Sequence, residues 1–260
     1  MADKADIHTL YQESVQCVEA EIDFVDDVYR TYNGRRAKIL REDFCGTANT
    51  ACEWIRRRRT NHAYGIDLDK EVLAWGEEHN VSTLGRAAKR ISLLNQDVLK
   101  VTTPPPDLVL AMNFSYWTFK DRKLLRRYFR RVRSSLASNG LFILDCYGGS
   151  EAFVVTRDRH KYDGFTYIWD QAAYNPITGE MQANIHFKFS DGSQIKNAFS
   201  YDWRLWTLPE LQEILAEAGF GGSTVYWQGT DEDGEADGDF QPSTEGEPDA
   251  AWIAYVVAEK

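Results

Sequence analysis

The chain has 260 residues, of which 43% are hydrophobic and 13% aromatic, and its formal net charge at pH 7 is −10. This length is enough for one large α/β domain, or for one such domain with a small subdomain. No apolar run reaches the roughly 18 residues that a membrane-spanning helix needs, so we expect no membrane association. The N-terminal segment MADKADIHTLYQES lacks the basic head and apolar stretch of a secretory signal, and we expect a cytoplasmic protein.

Most of the negative charge is concentrated near the C-terminus. Residues 229–250 contain nine acidic side chains and no lysine or arginine, so the rest of the chain is nearly neutral. This segment offers little apolar surface to bury, and its composition predicts a solvated acidic loop.

The cysteines and histidines give no indication of a metal site. The four cysteines contain no C-x-x-C pair, and the five histidines lack the spacing of metal ligands. Because the cysteines lie in apolar segments, we interpret them as buried free thiols rather than as a disulfide framework.

The first predicted elements are helical. Residues 17–32 place apolar side chains on one helical face, and Gly34 follows where a helix can end. A shorter helical or irregular segment precedes them. We therefore expect residues 1–36 to form a helical lead-in or lid.

Strand and helix patterns then alternate over residues 37–150. Apolar segments that predict strands are AKILRE, HAYGIDLD, ISLLNQDV, PPPDLVLAMNF and LFILDCY. Helical patterns lie near residues 47–59, 70–80 and 121–136. Strands joined by crossover helices at this spacing predict an α/β fold with a doubly wound, mostly parallel sheet.

After Gly149 the pattern changes to alternating apolar and polar residues. Turn signals at NPITG and SDG divide this segment, which predicts an antiparallel β-meander inserted over residues 151–206. The α/β pattern resumes over residues 207–260 with a helix near 208–218. Two last strands, STVYWQ and AWIAYVVAE, flank the acidic segment.

Polar and small residues follow the predicted strands. In open parallel sheets, ligands bind outside the carboxyl ends of the strands. Gly46 can take a positive φ there, and Thr47 can cap the next helix. Asp67 ends the second strand, where an acid can accept hydrogen bonds from both ribose hydroxyls. Asp97 and the backbone of Val98 are placed for the edge of an adenine.

The series E-x-x-C-G-T-A, G-I-D-L-D, N-Q-D-V, N-F-S-Y and G-L-F-I-L-D resembles the class I S-adenosylmethionine-dependent methyltransferases, in particular their small-molecule branch. The resemblance implies a Rossmann-like, seven-stranded sheet with an antiparallel last strand. It implies S-adenosyl-L-methionine as cofactor and S-adenosyl-L-homocysteine as product. The residues that it assigns to the cofactor are Glu42, Cys45, Gly46, Thr47, Ala48, Asp67, Leu68, Asp97, Val98 and Asn113.

The first of these motifs departs from the family pattern E-x-G-x-G-x-G. Phe44 and Ala48 stand at the first and third glycine positions, and Asp43 takes a place that is normally apolar. A sulfonium cofactor carries no phosphate, so a turn with fewer glycines is more tolerable for it than for a dinucleotide. We expect the Phe44 ring to turn away from the cofactor and pack beneath the following helix.

Methyl transfer depends mainly on in-line positioning in a pocket that excludes water. Polar residues directly after the fourth strand are therefore our candidate catalytic residues, namely Asn113, Ser115 and Tyr116. Aromatic faces can hold an amine or a sulfonium by cation–π contact, and an arginine can pair with a carboxylate. The candidate substrate-binding residues are Tyr11, Tyr116, Trp117, Tyr147 and Arg204.

These observations favour methyl transfer to a nitrogen or oxygen of a small molecule. One alternative is a methyltransferase for RNA or protein, because arginines cluster at 56–59 and 122–133. Their spacing is that of solvated helix faces and ends, so we do not favour nucleic acid. A second alternative is a non-catalytic protein of the same fold that binds the cofactor or a partner. The N-terminal helix could also serve as a dimer interface, so the sequence leaves the oligomeric state open.

Overall fold

The computed structural model describes residues 1–230 and 236–260. Its main sheet has eight strands in the order β11-β10-β12-β5-β4-β1-β2-β3. Strands β1 to β5 are parallel to their neighbours among these five, whereas β12, β10 and β11 pair antiparallel. The bounds are β1 Ile39–Asp43, β2 His62–Asp67, β3 Ile91–Asn95, β4 Leu108–Ala111, β5 Leu141–Gly148, β10 Gly222–Thr230, β11 Ala236–Ser243 and β12 Trp252–Glu259.

Six α-helices accompany the strands in the described residues. They are α1 Ile7–Val15, α2 Val18–Asn33, α3 Asn49–Arg57, α4 Lys70–His79, α5 Arg122–Ser135 and α6 Leu208–Glu217. The sequence explains several of their ends. Gly34 closes α2 in a left-handed conformation at φ 63°, and Asp69 caps α4 by accepting the N–H groups of Glu71 and Val72. None of the helices in the described ranges is long and apolar enough to span a membrane.

A second, four-stranded antiparallel sheet is inserted between β5 and α6. It has the order β6-β7-β8-β9, with β6 Thr156–Lys161, β7 Phe165–Tyr174, β8 Glu180–Phe189 and β9 Gln194–Arg204. Buried and exposed residues alternate along β8, as expected for a sheet with one covered face. Trp203 and Leu205 place the end of this sheet in the main hydrophobic core, while Phe187 belongs to a separate core with Leu10 of α1.

The acidic segment differs from its prediction as a loop. Residues 236–243 form β11, which pairs with β10 through registers such as Gln228 with Phe240. The ring of Phe240 lies against Tyr255 and Phe24, with centroids 4.5 and 5.9 Å away. A single aromatic residue among the acids thus gives this strand an apolar contact. With β11, the main sheet has eight strands rather than the predicted seven. Residues 231–235 of the predicted loop lie outside the described part of the chain.

Candidate cofactor and acceptor site

The loop between β1 and α3 has three residues in the left-handed region. Phe44, Gly46 and Ala48 have φ values of 59°, 51° and 57°. A left-handed conformation costs a residue with a Cβ roughly 1–2 kcal/mol, and glycine adopts it freely. The loop therefore keeps the backbone shape of a glycine-rich turn although two of its glycine positions carry other residues.

The Phe44 ring points into the main core, but its aromatic contacts are with α5 and the segment before it rather than, as the sequence predicts, with the following helix α3. Its centroid lies 5.8 Å from that of Phe119 and 5.6 Å from that of Tyr128, in edge-to-face arrangements. The ring therefore packs against α5 and the segment before it.

A buried ion pair lies beneath this loop. Arg41 and Asp43 are fully buried, and Arg41 Nε lies 2.8 Å from Asp43 Oδ1. The Tyr128 hydroxyl donates to Asp43 Oδ2 at 2.9 Å, and Arg41 also donates to the Ser135 hydroxyl at 2.8 Å. The pair fixes the end of β1 to α5, which explains an acid at a position that is apolar in the family pattern.

Asp67 connects this loop to the end of β2. One carboxylate oxygen accepts the Gly46 N–H at 2.8 Å and the other accepts the Asp69 N–H at 2.9 Å. Leu68 beside it is 72% exposed, an unusual state for a leucine. Strand β2 pairs with β3, and Asp67 lies opposite Asn95 in this pairing. Asp97 follows β3, and its carboxylate accepts the Leu99 N–H. The predicted ribose and adenine contacts thus share one edge.

Glu42 is buried at the end of β1. Its Oε2 accepts the Ala51 N–H of α3 at 2.9 Å. Burial raises the pKa of the Glu42 carboxyl to about 8, the Ala51 hydrogen bond opposes this, and the charges of Glu21 and Asp67 add to the increase. A cationic ligand beside Glu42 would favour its charged form.

The predicted helix cap at Thr47 is wrong. The α3 N-cap is Ala48, and its side chain makes no capping hydrogen bond. The Thr47 hydroxyl instead accepts a hydrogen bond from Gln12 Nε2 of α1 at 2.7 Å. Cys45, Ala48 and Val98 are buried as whole residues, which gives no support to the contacts predicted between them and a cofactor.

Helix α1 joins the two sheets above this edge. Gln12 of this helix binds Thr47, as described above. The centroid of the His8 ring, also on α1, lies 5.1 Å from that of Trp75 of α4 and 6.0 Å from that of Phe199 of β9. Trp75 Nε1 also donates to the Asp6 carboxylate at the start of α1. The N-terminal segment therefore contacts both the first loop and the inserted sheet.

Two consecutive left-handed residues follow β4. Asn113 and Phe114 have φ values of 55° and 57°, and the buried carboxylate of Asp145 accepts their N–H groups at 2.7 and 2.9 Å. Strand β4 lies beside β1, where the crossover connections diverge toward β2 and β5, so this turn is at the topological switch point. Burial raises the pKa of Asp145 to about 7 against the effect of these two hydrogen bonds.

The turn borders a cavity of about 560 Å³, which we call the aromatic cavity. It extends between the main sheet, α1 and the inserted sheet. Its aromatic lining residues are Tyr11, Phe114, Tyr147, His160, Tyr167, Trp169, Tyr201, Trp203 and Trp252. Its charged lining residues, apart from any charge on His160, are Glu151 and Asp158. The predicted residues Tyr11, Asn113 and Tyr147 meet in it.

A second cavity of about 1000 Å³, the acidic cavity, adjoins the same turn. It is bordered by α2, β10, β11 and β12, and it shares Asn113 and Phe114 with the aromatic cavity. Its acidic lining residues are Glu21, Asp23, Asp27, Asp145 and Asp239, and no lysine or arginine of the described chain lines it.

Four of the predicted catalytic and substrate-binding residues line neither cavity, and neither do the predicted cofactor residues other than Asn113. Tyr116 and Trp117 are fully buried, and the Tyr116 hydroxyl donates to the backbone oxygen of Asp145. The Ser115 hydroxyl donates to the Met112 oxygen. Arg204 is engaged by Glu210 at 3.0 Å and by the Trp206 ring. The Ser115 and Tyr116 hydroxyls and the Arg204 guanidinium have partners within the fold, and Tyr116 and Trp117 are inaccessible, which argues against the predicted substrate contacts. The Trp117 Nε1 and Arg204 Nε groups are buried without a hydrogen-bond partner among the described residues.

Three solved structures are similar to the chain over nearly its whole length. An S-adenosylmethionine-dependent methyltransferase from Clostridium acetobutylicum has a TM-score of 0.72 at 16% identity, covering 97% of this chain and 96% of its own. CalS10, an amino pentose methyltransferase from Micromonospora echinaspora, has 0.67 at 15%, covering 97% and 96%. The sugar N-methyltransferase KedS8 from Streptoalloteichus sp. has 0.66 at 17%, covering 98% and 93%. The chain has the methyltransferase fold. No protein-family model matches it, and no curated protein matches it at a significant level.

The cavities of this methyltransferase fold include residues that the sequence reasoning missed. Asp145 stands inside the apolar strand LFILDCY, and this isolated acid was an available signal. Trp169 and Tyr201 lie on strands of the inserted sheet that were predicted, but alternation alone does not indicate which face meets the core. The acids Glu151 and Asp158 had no motif to mark them.

Proposed function

We propose that this protein transfers a methyl group from S-adenosyl-L-methionine to a nitrogen or oxygen atom of a small molecule. One observation carries the proposal. The left-handed loop at 44–48, tied to Asp67, and the Asn113 turn, which opens into the aromatic cavity, occupy the same edge of the sheet. The edge that we assign to the nucleoside thus lies beside a partly open cavity that we assign to the acceptor.

The residues present fit the cofactor. The Asp67 carboxylate uses one oxygen for each of two backbone N–H groups, and the remaining lone pairs are free to accept ribose hydroxyls. The exposed Leu68 side chain offers an apolar surface for an adenine face, and Asp97 an acceptor for its amino group. When bound, the cofactor would supply an electrophilic methyl group.

The remaining residues position the acceptor. Asp145 fixes the Asn113 turn through two backbone hydrogen bonds, so the wall between donor and acceptor is held by a buried group. Phe114, Tyr147 and Trp203 form an aromatic wall with centroids 4.8 to 6.4 Å apart, which excludes water and favours in-line approach. The names of CalS10 and KedS8 support a small-molecule acceptor.

The arginines give no support to a nucleic-acid substrate. On α5, Arg122 and Arg126 pair with Glu217, and Arg131 donates to backbone oxygens of the loop between β3 and β4. At the end of α3, Arg57 pairs with Glu53 and Asp23. These side chains are engaged by the fold, as expected for solvated helix surfaces rather than a phosphate-binding face.

Calorimetry with S-adenosylmethionine and S-adenosylhomocysteine tests the proposal. We expect binding by the wild type and a loss of about 10- to 100-fold in Asp67→Ala, because a hydrogen bond to a charged group contributes about 1.5–3 kcal/mol. Asp69→Ala is the matched control, since it removes an adjacent acid whose role is to cap α4. A wild type that binds neither compound refutes the function, and equal binding by Asp67→Ala refutes the ribose assignment.

A further inference from the structure

The acidic cavity contains carboxylates that lack a cationic partner. Asp23 and Asp27 pair with Arg57 and Arg30, so their charges are compensated at the surface. Glu21, Asp145 and Asp239 form no salt bridge with any residue that the structure describes. The wall of the cavity therefore holds three carboxyl groups that no cation of the described chain compensates.

Two of these carboxylates are deeply buried. The residues Glu21 and Asp145 are only 8% and 7% exposed, and both line the cavity. Both Asp145 oxygens accept backbone N–H groups, whereas the hydrogen bond from Thr50 reaches only Oε2 of Glu21, at 3.3 Å. Burial raises the pKa of Glu21, because desolvation disfavours the charged form, and the hydrogen bond from Thr50 opposes this. A buried carboxylate is normally paired with a cation or strongly hydrogen-bonded, because its desolvation is costly.

Aromatic rings stand around the same space. Phe24 stacks on Tyr255 with a centroid distance of 4.5 Å and an interplanar angle of 25°. Tyr226 and Phe240 extend this group, with centroids 5.2 and 5.9 Å from that of Phe24, and all four residues line the cavity. Carboxylates combined with aromatic faces are the groups that bind alkylammonium ions.

We propose that the acidic cavity binds an ammonium group of the acceptor, so that the substrate is a small-molecule polyamine or another amine with a cation remote from the methylated atom. This rests on the proposed function. The Asn113 and Phe114 turn lines both cavities, so one molecule can hold its reacting atom in the aromatic cavity while its charged end reaches Glu21 in the acidic cavity. Asp239 of β11 attracts the cation at the entrance.

The test uses spermidine as the probe, with calorimetry in the presence and absence of S-adenosylhomocysteine. We expect wild-type binding to weaken about 10- to 100-fold in Glu21→Gln, which removes a buried charge, and about 2- to 5-fold in Asp239→Asn, which removes an exposed one. Glu213→Gln, on the exposed face of α6, is the matched control and should bind as the wild type does. N1,N8-diacetylspermidine, which has lost its two terminal charges, should bind more weakly than spermidine.

Each outcome decides between the two proposals. Spermidine binding that is absent, or equal in Glu21→Gln, Asp239→Asn and Glu213→Gln, overturns the ammonium site. Because Asp239→Asn changes only an exposed side chain, its result holds even if Glu21→Gln does not fold. Failure of S-adenosylhomocysteine to bind refutes the methyltransferase proposal alone, since the spermidine titration without it still reports on the cavity.

Discussion

Replacing Phe44 with alanine and with glycine separates the ring from the backbone strain beneath it. Phe44 is half-buried against Phe119 and Tyr128, so alanine should lose about 2–3 kcal/mol of unfolding free energy, less than the 3–5 kcal/mol of a fully buried ring. Glycine loses the same contacts but removes a strain of about 1–2 kcal/mol at φ 59°. Glycine also loses more backbone entropy on folding than alanine does, which offsets about 0.5–1 kcal/mol of this gain in unfolding free energy. We therefore expect Phe44→Gly to be more stable than Phe44→Ala by about 0.5–1 kcal/mol.

Urea denaturation followed by circular dichroism measures this difference. The control is Ala51→Gly in α3, a buried helical position where glycine should be less stable than alanine by about 1 kcal/mol. The order of alanine and glycine thus inverts between two sites a few residues apart. A Phe44→Gly variant that is less stable than Phe44→Ala would show that residue 44 is not held in the left-handed region.

Three further changes test the surroundings of this loop. Arg41→Met should cost about 3–5 kcal/mol of unfolding free energy, because it leaves the Asp43 carboxylate buried without its cation; Arg41→Met/Asp43→Leu should recover much of that loss, and an equally unstable double variant would contradict the reasoning. The Glu42 carboxyl ionises near pH 4.5 in the unfolded chain and at about pH 8 in the folded protein. The stability of the wild type relative to Glu42→Gln should therefore decrease as the pH rises from 4.5 to 8. Parallel pH profiles of the two proteins would contradict a raised pKa at Glu42. Gly76→Ala should destabilise although alanine normally favours a helix, because the added Cβ would lie 2.5 Å from the Thr47 oxygen; a higher melting temperature would contradict this.

The sequence predicted the α/β frame well because its signals are local. Alternation of apolar strands with amphipathic helices, Gly34 and Asp69 at helix ends, and the turns of the meander all act within a few residues. β11 was not predicted, because its pairing depends on distant contacts of Phe240 with Tyr255 and Phe24. A strand of mostly polar residues at the edge of a sheet carries almost no periodic signal of its own.

The candidate site divides in the same way. Asp67 could be placed from sequence because it ends a parallel strand, and parallel strand ends share one edge. Tyr116 and Trp117 were misjudged because an aromatic residue after a strand can turn either inward or toward a ligand. The hydrogen bond of Tyr116 to the Asp145 backbone, 29 residues away, decides that orientation. Glu21 required a contact between α2 and the strand ends that no local pattern encodes.

The residues assigned to the acceptor and to the cofactor lie on different sheets, and this separation has an evolutionary consequence. Tyr167, Trp169 and Tyr201, which face the aromatic cavity, all stand on the inserted sheet, whereas Asp67 and the loop at 44–48 stand on parallel strands. On the proposed function, we therefore expect substitutions at these positions to change the choice of acceptor more than the binding of the cofactor. A lineage carrying this chain could diversify its chemistry by drift in a single insertion, and directed evolution of new acceptors should begin with those three positions.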